Sequence, residues 1–166
     1  VLPVTDLSRL TVSELLEQLK VYEDGVRYRT RMQLREFTAD EVLPAVEKWL
    51  AGLDENDPEI DQHRLEGLWV YQQFNHPNKE LLDNLLKSET PSVRAAAVRV
   101  LLYWADALTD AQERLIVRSK DPSPRVRLEA VAALSHFASE ETVQALLAVT
   151  DQPVDDYIRY ALIESF

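Results

Sequence analysis

Apolar residues in this chain recur with helical spacing, in copies of one short pattern. Four segments align on a Val or His followed by arginine: "VRYRTRMQLREF", "HRLEGLWVYQQF", "VRAAAVRVLLYW" and "VRLEAVAALSHF", which begin at residues 26, 63, 93 and 126. Each copy has a small residue four positions later, a Leu or Tyr eight later and an aromatic eleven later. These offsets lie on one side of an α-helix. The pattern predicts four amphipathic helices of one design.

The arginine of the pattern recurs at intervals of 37, 30, 33 and 32 residues. The five positions are Arg27, Arg64, Arg94, Arg127 and Arg159. The last belongs to a weaker copy, "IRYALIESF", which has Leu162 at the small position and ends at Phe166. A polar residue that stands beside the apolar stripe once per repeat is typical of a structural anchor. We interpret the arginines as repeat anchors that bond carbonyls or an acid of the adjacent turn, such as Asp24, Asp61, Glu89 or Asp121.

A second helical pattern lies between successive copies, and prolines separate the elements. Upstream, "TVSELLEQL" opens with Thr11 and Glu14 at capping-box spacing. A short helix pair buries its apolar face only by stacking on neighbours. We therefore predict an all-α fold, an α-solenoid of about nine helices in antiparallel pairs.

We expect one domain over residues 1–166. Its parts are a lone first helix at 11–22, repeats at approximately 24–55, 58–88, 91–120 and 122–150, and a partial repeat at 153–166.

Composition and charge limit the functions that this chain can have. The formal net charge of −11 argues against a nucleic-acid partner, because phosphate neutralisation needs a basic surface. The absence of cysteine excludes disulfides, thiolate metal sites and attached c-type haem in this segment. No apolar run is long enough to insert across a bilayer. Because the chain starts at Val1 and stops inside a helical pattern, we expect a piece of a longer protein.

The densest basic stretch holds Arg27, Arg31 and Arg35, which share one helical ridge. This spacing makes them a candidate anion-binding site. The alternative is a charged face that is paired with acids such as Glu23, Asp24 and Glu36.

Met32 and Trp69 lie at the same offset of adjacent copies, opposite the apolar stripe. They form a candidate docking surface for a partner. The alternative is burial against neighbouring repeats. Trp49 and Trp104 lie within apolar stripes, and we predict that both are in the core.

No catalytic, cofactor or metal site is predicted. The acidic run "DENDPEID" lacks the Gly and Glu that a calcium loop needs at its sixth and twelfth positions. The three histidines lack zinc-ligand spacing. His63 replaces Val at a core position, so we expect it to be packed and hydrogen-bonded.

The unit "DPSPRVRLEAVAAL" at 121–134 resembles the short HEAT-like repeat, and the resemblance covers roughly residues 24–166. It implies an armadillo-type right-handed superhelix and indicates little about function.

A narrower resemblance rests on "YEDGVRYRTRMQLREF", "DQHRLEGLWVYQQFN", "PSVRAAAVRVLLYWAD" and "DPSPRVRLEAVAALSHF", in that order. Together these look like the helical-repeat segment of large secreted bacterial proteins that combine a sugar-dehydrogenase-like propeller with a c-type cytochrome domain. The resemblance implies a non-catalytic scaffold in an exported, periplasmic protein, with neighbouring domains or a separate protein as its partner. A cytoplasmic location stays open.

Two alternatives stay open, and the oligomeric state is not predicted. One is an enzyme built on HEAT-like repeats, similar to a bilin lyase or a DNA glycosylase. The other is a stand-alone adaptor for another protein.

Overall fold

The computed structural model describes residues 6–165, which contain ten α-helices, three short 3-10 turns and no strand. The helices are α1 Val12–Gln18, α2 Asp24–Leu34, α3 Ala39–Ala51, α4 Ile60–Gln73, α5 Lys79–Leu85, α6 Pro91–Tyr103, α7 Ala111–Arg118, α8 Pro124–Leu134, α9 Glu140–Ala148 and α10 Asp156–Glu164. The predicted all-α, solenoid fold class is confirmed, with ten helices in this range where about nine were expected. Phe166, the last residue of the weaker fifth copy, lies outside the described residues.

Side chains at the helix starts explain where several helices begin. Thr11 accepts a hydrogen bond from the Glu14 amide at 3.4 Å, while the Glu14 carboxylate accepts one from the Thr11 amide at 2.8 Å. This confirms the capping box at the start of α1, and Thr38 and Glu41 form a second one at α3. The hydrogen bonds from the Thr11 amide and hydroxyl hold the pKa of Glu14 below its usual value. Helix α1 ends at Gln18, four residues before the predicted end.

The chain divides into two compact units, and the first ends at His76. In this unit α1 packs on α2 and α3, and α3 packs on α4. Its core is mainly aliphatic and includes Leu15, Leu16, Leu19, Leu34, Val42, Val46, Trp49, Leu65, Leu68 and Tyr71. Gly67 lies against Leu50, so a Cβ added there would be 2.8 Å from Leu50 Cδ2. The small residue of the repeat pattern thus permits close helix approach, as predicted.

The second unit begins at Pro77 and contains α5 to α10. Helices α6, α8 and α10 pack side by side, so that α8 lies between the other two. Helix α7 packs on α6, α8 and α9. Trp104 is almost completely buried at the end of α6, as predicted.

Candidate functional site

Arg94 connects three parts of the second unit. It lies in the first turn of α6, and its Nη1 donates to the Ser88 and Glu89 carbonyls at 2.7 and 3.2 Å. These carbonyls belong to the turn that precedes the helix. The other edge of the guanidinium, Nε and Nη2, bonds both carboxylate oxygens of Asp121 at 2.9 and 2.8 Å. One side chain therefore holds its own helix start and the start of the next repeat.

We call this arrangement an arginine clasp: one guanidinium bonds the turn before its own helix and also a residue of the next repeat. The clasp recurs at Arg127, with one difference. Its Nη1 donates to the Asp121 and Pro122 carbonyls at 2.9 and 3.1 Å, six and five residues back, as in Arg94. Its Nη2 reaches the next repeat at the Pro153 carbonyl, at 2.7 Å. Because Pro153 offers no carboxylate, the buried Nε of Arg127 has no hydrogen-bond partner within residues 6–165.

Arg27 makes the clasp in the first unit. Its Nη1 donates to the Val21 and Tyr22 carbonyls at 2.9 and 2.5 Å. Its Nη2 pairs with Asp24 at 3.1 Å, one of the acids that the sequence indicates. Its Nε donates to Glu66 on α4 at 2.9 Å, a partner that the sequence did not indicate.

Two of the predicted anchors are held differently. Arg64 donates to both oxygens of Glu55 at 2.6 and 2.7 Å, and lies 3.8 Å from Asp61. Among the described residues, Arg159 pairs only with Asp156 of its own helix, at 2.6 Å, and its side chain is mostly exposed. The clasp is therefore present at three of the five arginines, and it is complete at Arg27 and Arg94.

Asp121 is a buried acid of the second unit that pairs with two cations, Arg94 and Arg118. Burial alone would raise its pKa, but the hydrogen bonds from Arg94 and the Ser123 amide, with the charges of Arg94 and Arg118, outweigh burial. The net effect is a lowered pKa, so this carboxylate stays ionised in mildly acidic solution. Its carboxylate accepts from Arg94 of the previous repeat and from the Ser123 amide of its own turn, whereas Arg127 bonds its backbone carbonyl.

Glu66 is the centre of a buried polar cluster in the first unit. Its side chain is completely inaccessible to solvent. It accepts from Arg27 Nε, from Arg31 Nη1, and from Gln62 Nε2 at 3.2 Å. Burial raises the pKa of Glu66, and the charges and hydrogen bonds of Arg31 and Arg27 offset only part of that rise. Two cations thus hold one buried acid.

This cluster bears on the candidate anion site. Two of the three arginines of the candidate anion site, Arg27 and Arg31, donate to Glu66. The third, Arg35, is exposed and has no ion-pair partner among residues 6–165. The acid that pairs with both is neither Glu23 nor Glu36. A signal for Glu66 exists in the repeat pattern: it shares its offset with Glu129, which pairs with Arg99 of the preceding repeat helix.

Trp69 and Met32 lie near an ordered arginine. The Arg31 guanidinium carbon lies 4.9 Å from the centroid of the Trp69 ring, a cation–π arrangement. Trp69 is half-buried, and Met32 is 41 % exposed. Tyr28, one turn before Met32 on α2, is 56 % exposed. We call these four residues the α2–α4 patch: Tyr28, Arg31, Met32 and Trp69.

A cleft of about 500 Å³ lies beside the Arg27 clasp. Its walls include Tyr22, Asp24, Arg27, Gln62 and His63. His63 is buried, and its Nε2 lies 3.4 Å from Asp57. Its Nδ1 has no hydrogen-bond partner in the part of the chain that the structure describes.

Across residues 6–165, no group of three or more His, Asp or Glu side chains is arranged to hold a metal ion. No helix in the same range is long and apolar enough to cross a membrane.

The stacked helix pairs and repeating arginine clasps define an α-helical repeat protein. A family model of HEAT repeats matches residues 78–166, just over half of the chain. The chain belongs to the HEAT-repeat family. No curated protein matches its sequence.

Proposed function

We propose that this chain is a non-catalytic interaction module that binds a protein partner through the α2–α4 patch. The arrangement of Arg31 over Trp69, beside exposed Tyr28 and Met32, is the observation that carries the proposal. Aromatic residues, Met and Arg are the side chains enriched at protein interfaces. Helical repeats present such residues on a regular surface.

The patch is ordered before any partner arrives. Glu66 and the Trp69 ring hold Arg31 from two sides, so its guanidinium loses little freedom on binding. Met32 and Tyr28 supply apolar area that a partner can cover. Pre-ordered arginine and aromatic groups with apolar surroundings are typical of interface hot spots.

Site-specific photocrosslinking in the native host tests the patch. A photoreactive phenylalanine at Tyr28 is expected to give one discrete adduct, and the change Met32→Glu is expected to abolish it. The matched control places the same group at Tyr103, which is equally exposed but lies in the second unit. No adduct at Tyr28, or the same adducts at both positions, would contradict a specific role for the patch.

We further propose that the parent protein is exported and carries dehydrogenase and cytochrome c domains, for which this module is the scaffold. The ordered series of repeat motifs supports this proposal through its family resemblance. The test is to detect the native polypeptide with an antibody against this chain. A periplasmic polypeptide much larger than 19.0 kDa that stains for covalent haem is expected. A cytoplasmic polypeptide without haem would contradict the proposal.

A further inference from the structure

A second cleft of the first unit, about 370 Å³ in volume, lies between α1 and α3, and we call it the α1–α3 cleft. Helix α1 contributes Ser13, Leu16 and Glu17 to its walls, and α3 contributes Ala45, Lys48 and Trp49. These residues recur every three or four positions along each helix, so they form the two facing sides of one groove. A cleft of this size, with apolar walls and a small number of polar groups, is typical of a small-molecule site.

Trp49 gives this cleft a buried hydrogen-bond donor. The residue is 8 % exposed, and its indole Nε1 has no acceptor among residues 6–165. A buried donor without an acceptor is unfavourable, so a ligand group that accepts from it gains affinity. Trp104 also has a buried Nε1 without an acceptor in that range, but it is not part of the walls of this cleft. The cleft beside Trp49 is what makes a ligand the candidate acceptor.

Lys48 supplies the cleft with a cation that no acid engages in the part of the chain that the structure describes. Lys20, which follows α1, also lines the cleft, and its ammonium pairs with Glu17 at 2.9 Å. The same ammonium lies 5.7 Å from the centroid of the Trp49 ring. Because the Lys20–Glu17 pair is neutral as a whole, the unbalanced charge of the walls is that of Lys48. A ligand with a single negative charge matches it.

We propose that the α1–α3 cleft binds a small amphipathic carboxylate, such as a medium-chain fatty acid. The carboxylate accepts from the Lys48 ammonium and from the Trp49 indole N–H. The hydrocarbon chain lies against the apolar wall that Leu16, Ala45 and Trp49 form. Nε1 of Trp49 is closed to solvent in this structure, and the side chain over its ring is that of Lys20. The flexible stem of Lys20 turns aside as the ligand enters.

The walls of the cleft favour a free acid over a peptide. Besides Lys48 and the Trp49 N–H, the polar side chain available to a ligand is that of Ser13, whose hydroxyl forms no hydrogen bond within the described residues. A peptide would bring backbone amides and carbonyls that need partners, and burying them unpaired is unfavourable. A hydrocarbon chain has no such groups. The α1–α3 cleft is separate from the α2–α4 patch, and the proposal does not rest on that patch.

Binding of octanoate to the full chain tests the proposal, and 1-octanol is the matched probe that lacks the charge. Isothermal titration calorimetry is expected to show saturable binding of octanoate and about tenfold weaker binding of octanol. In isotopically labelled protein, the NMR resonance of the Trp49 indole N–H should shift as octanoate binds. The resonance of the Trp104 indole N–H, which is also buried, should stay where it is.

Substitutions locate the site. Lys48→Gln should weaken octanoate binding about tenfold, whereas Lys87→Gln, at an exposed position of the second unit, should leave it unchanged. Trp49→Phe keeps an aromatic ring, removes the donor and should also weaken binding. Equal affinities for octanol and octanoate, an unshifted Trp49 resonance, or unchanged affinity in Lys48→Gln overturns the proposal. So does tighter binding of N-acetyl-leucyl-leucine than of octanoate, because the ligand would then be the C-terminus of a peptide.

Discussion

The guanidinium of Arg94 and the carboxylate of Asp121 form two parallel hydrogen bonds, 2.9 and 2.8 Å long, between successive helix pairs. Both side chains are largely buried, and the same guanidinium also closes the turn before its own helix. This one contact therefore couples the local fold of one repeat to its stacking on the next. The stability of a helical-repeat protein is approximately the sum of the stabilities of its repeats and of the interfaces between them. The contact between Arg94 and Asp121 contributes to both.

Removal of Asp121 from this pair is expected to destabilise the protein. Asp121→Ala leaves Arg94 charged, mostly buried and without its partner, which is expected to lower the free energy of unfolding by about 3 kcal/mol. Urea denaturation measures the loss. The control is Asp156→Ala, which removes an exposed partner of Arg159 and should cost no more than about 0.5 kcal/mol. Similar losses in the two variants would show that the buried pair contributes no more to stability than the exposed pair does.

The Asp121 pair also predicts how stability responds to acid. The pKa of Asp121 is lowered in the folded protein, so the unfolded chain takes up this proton first as the pH falls. Its contribution is complete above about pH 5 and disappears as the pH falls through the folded-state pKa. The stability difference between the wild type and Asp121→Asn should therefore shrink between about pH 5 and pH 2. A difference that stays constant over this range contradicts the assignment.

Glu66 is expected to behave in the opposite sense. Because burial raises its pKa, the folded protein keeps this proton at a pH where the unfolded chain has lost it. The stability of the wild type relative to Glu66→Gln should therefore fall as the pH rises through the range just above 4.5. Measuring both variants by urea denaturation over the same pH series gives two slopes of opposite sign. Slopes of the same sign would show that one of the two pKa shifts is assigned wrongly.

Periodicity was sufficient to predict the helices, because each repeat places its apolar residues on one side at fixed offsets. It also predicted the close approach at Gly67. It could not assign the partners between repeats, since a period shows which residues share a position but not which neighbouring copy they contact. The sequence pairs Asp121 with Arg127 of its own repeat, whereas the Asp121 carboxylate bonds Arg94 of the previous one.

Glu66 shows a second limit of the sequence. A charged residue within a helix is ordinarily assigned to the surface, and nothing local indicates that Glu66 is buried. Its burial depends on Arg27 and Arg31, which lie 39 and 35 residues earlier in the chain. The candidate anion site was predicted from Arg27, Arg31 and Arg35, and the acids considered as their partners were close in sequence, unlike the Glu66 that accepts from two of them.

The contact between Gly67 and Leu50 predicts that Gly67→Ala changes the stability of the protein in opposite directions, depending on the residue at position 50. Alanine is normally favoured over glycine inside a helix by about 1 kcal/mol. At Gly67 the added methyl would lie 2.8 Å from Leu50 Cδ2, and such crowding costs about 1–3 kcal/mol. Gly67→Ala should therefore lower stability by about 1 kcal/mol in the wild type and raise it in a Leu50→Ala background. Thermal denaturation of the four proteins measures this coupling.

Gly25 provides the control for that cycle. It also lies in a helix, but no atom of another described residue is within 4 Å of an added Cβ, beyond its chain neighbours and its own helix backbone. Gly25→Ala should leave stability unchanged or raise it by up to about 1 kcal/mol, whatever stands at position 50. If Gly67→Ala behaves like Gly25→Ala in the wild type, Leu50 moves aside easily and close approach does not explain the small residue.

The incomplete clasp at Arg127 identifies a position where the natural sequence is not the most stable one. Pro153 occupies the position that corresponds to Asp121 in the next repeat, and no described residue accepts a hydrogen bond from the buried Nε of Arg127. Pro153→Asp keeps the backbone carbonyl that Nη2 uses and adds a carboxylate that can reach Nε. We expect it to be more stable than Pro153→Ala by about 1–2 kcal/mol. The alanine variant is the reference because it removes the proline ring equally.

In an Arg127→Met background the two substitutions should have equal stability, since the carboxylate then has no cation to bind. An advantage of aspartate that persists without Arg127 would trace the gain to the capping of α10 instead.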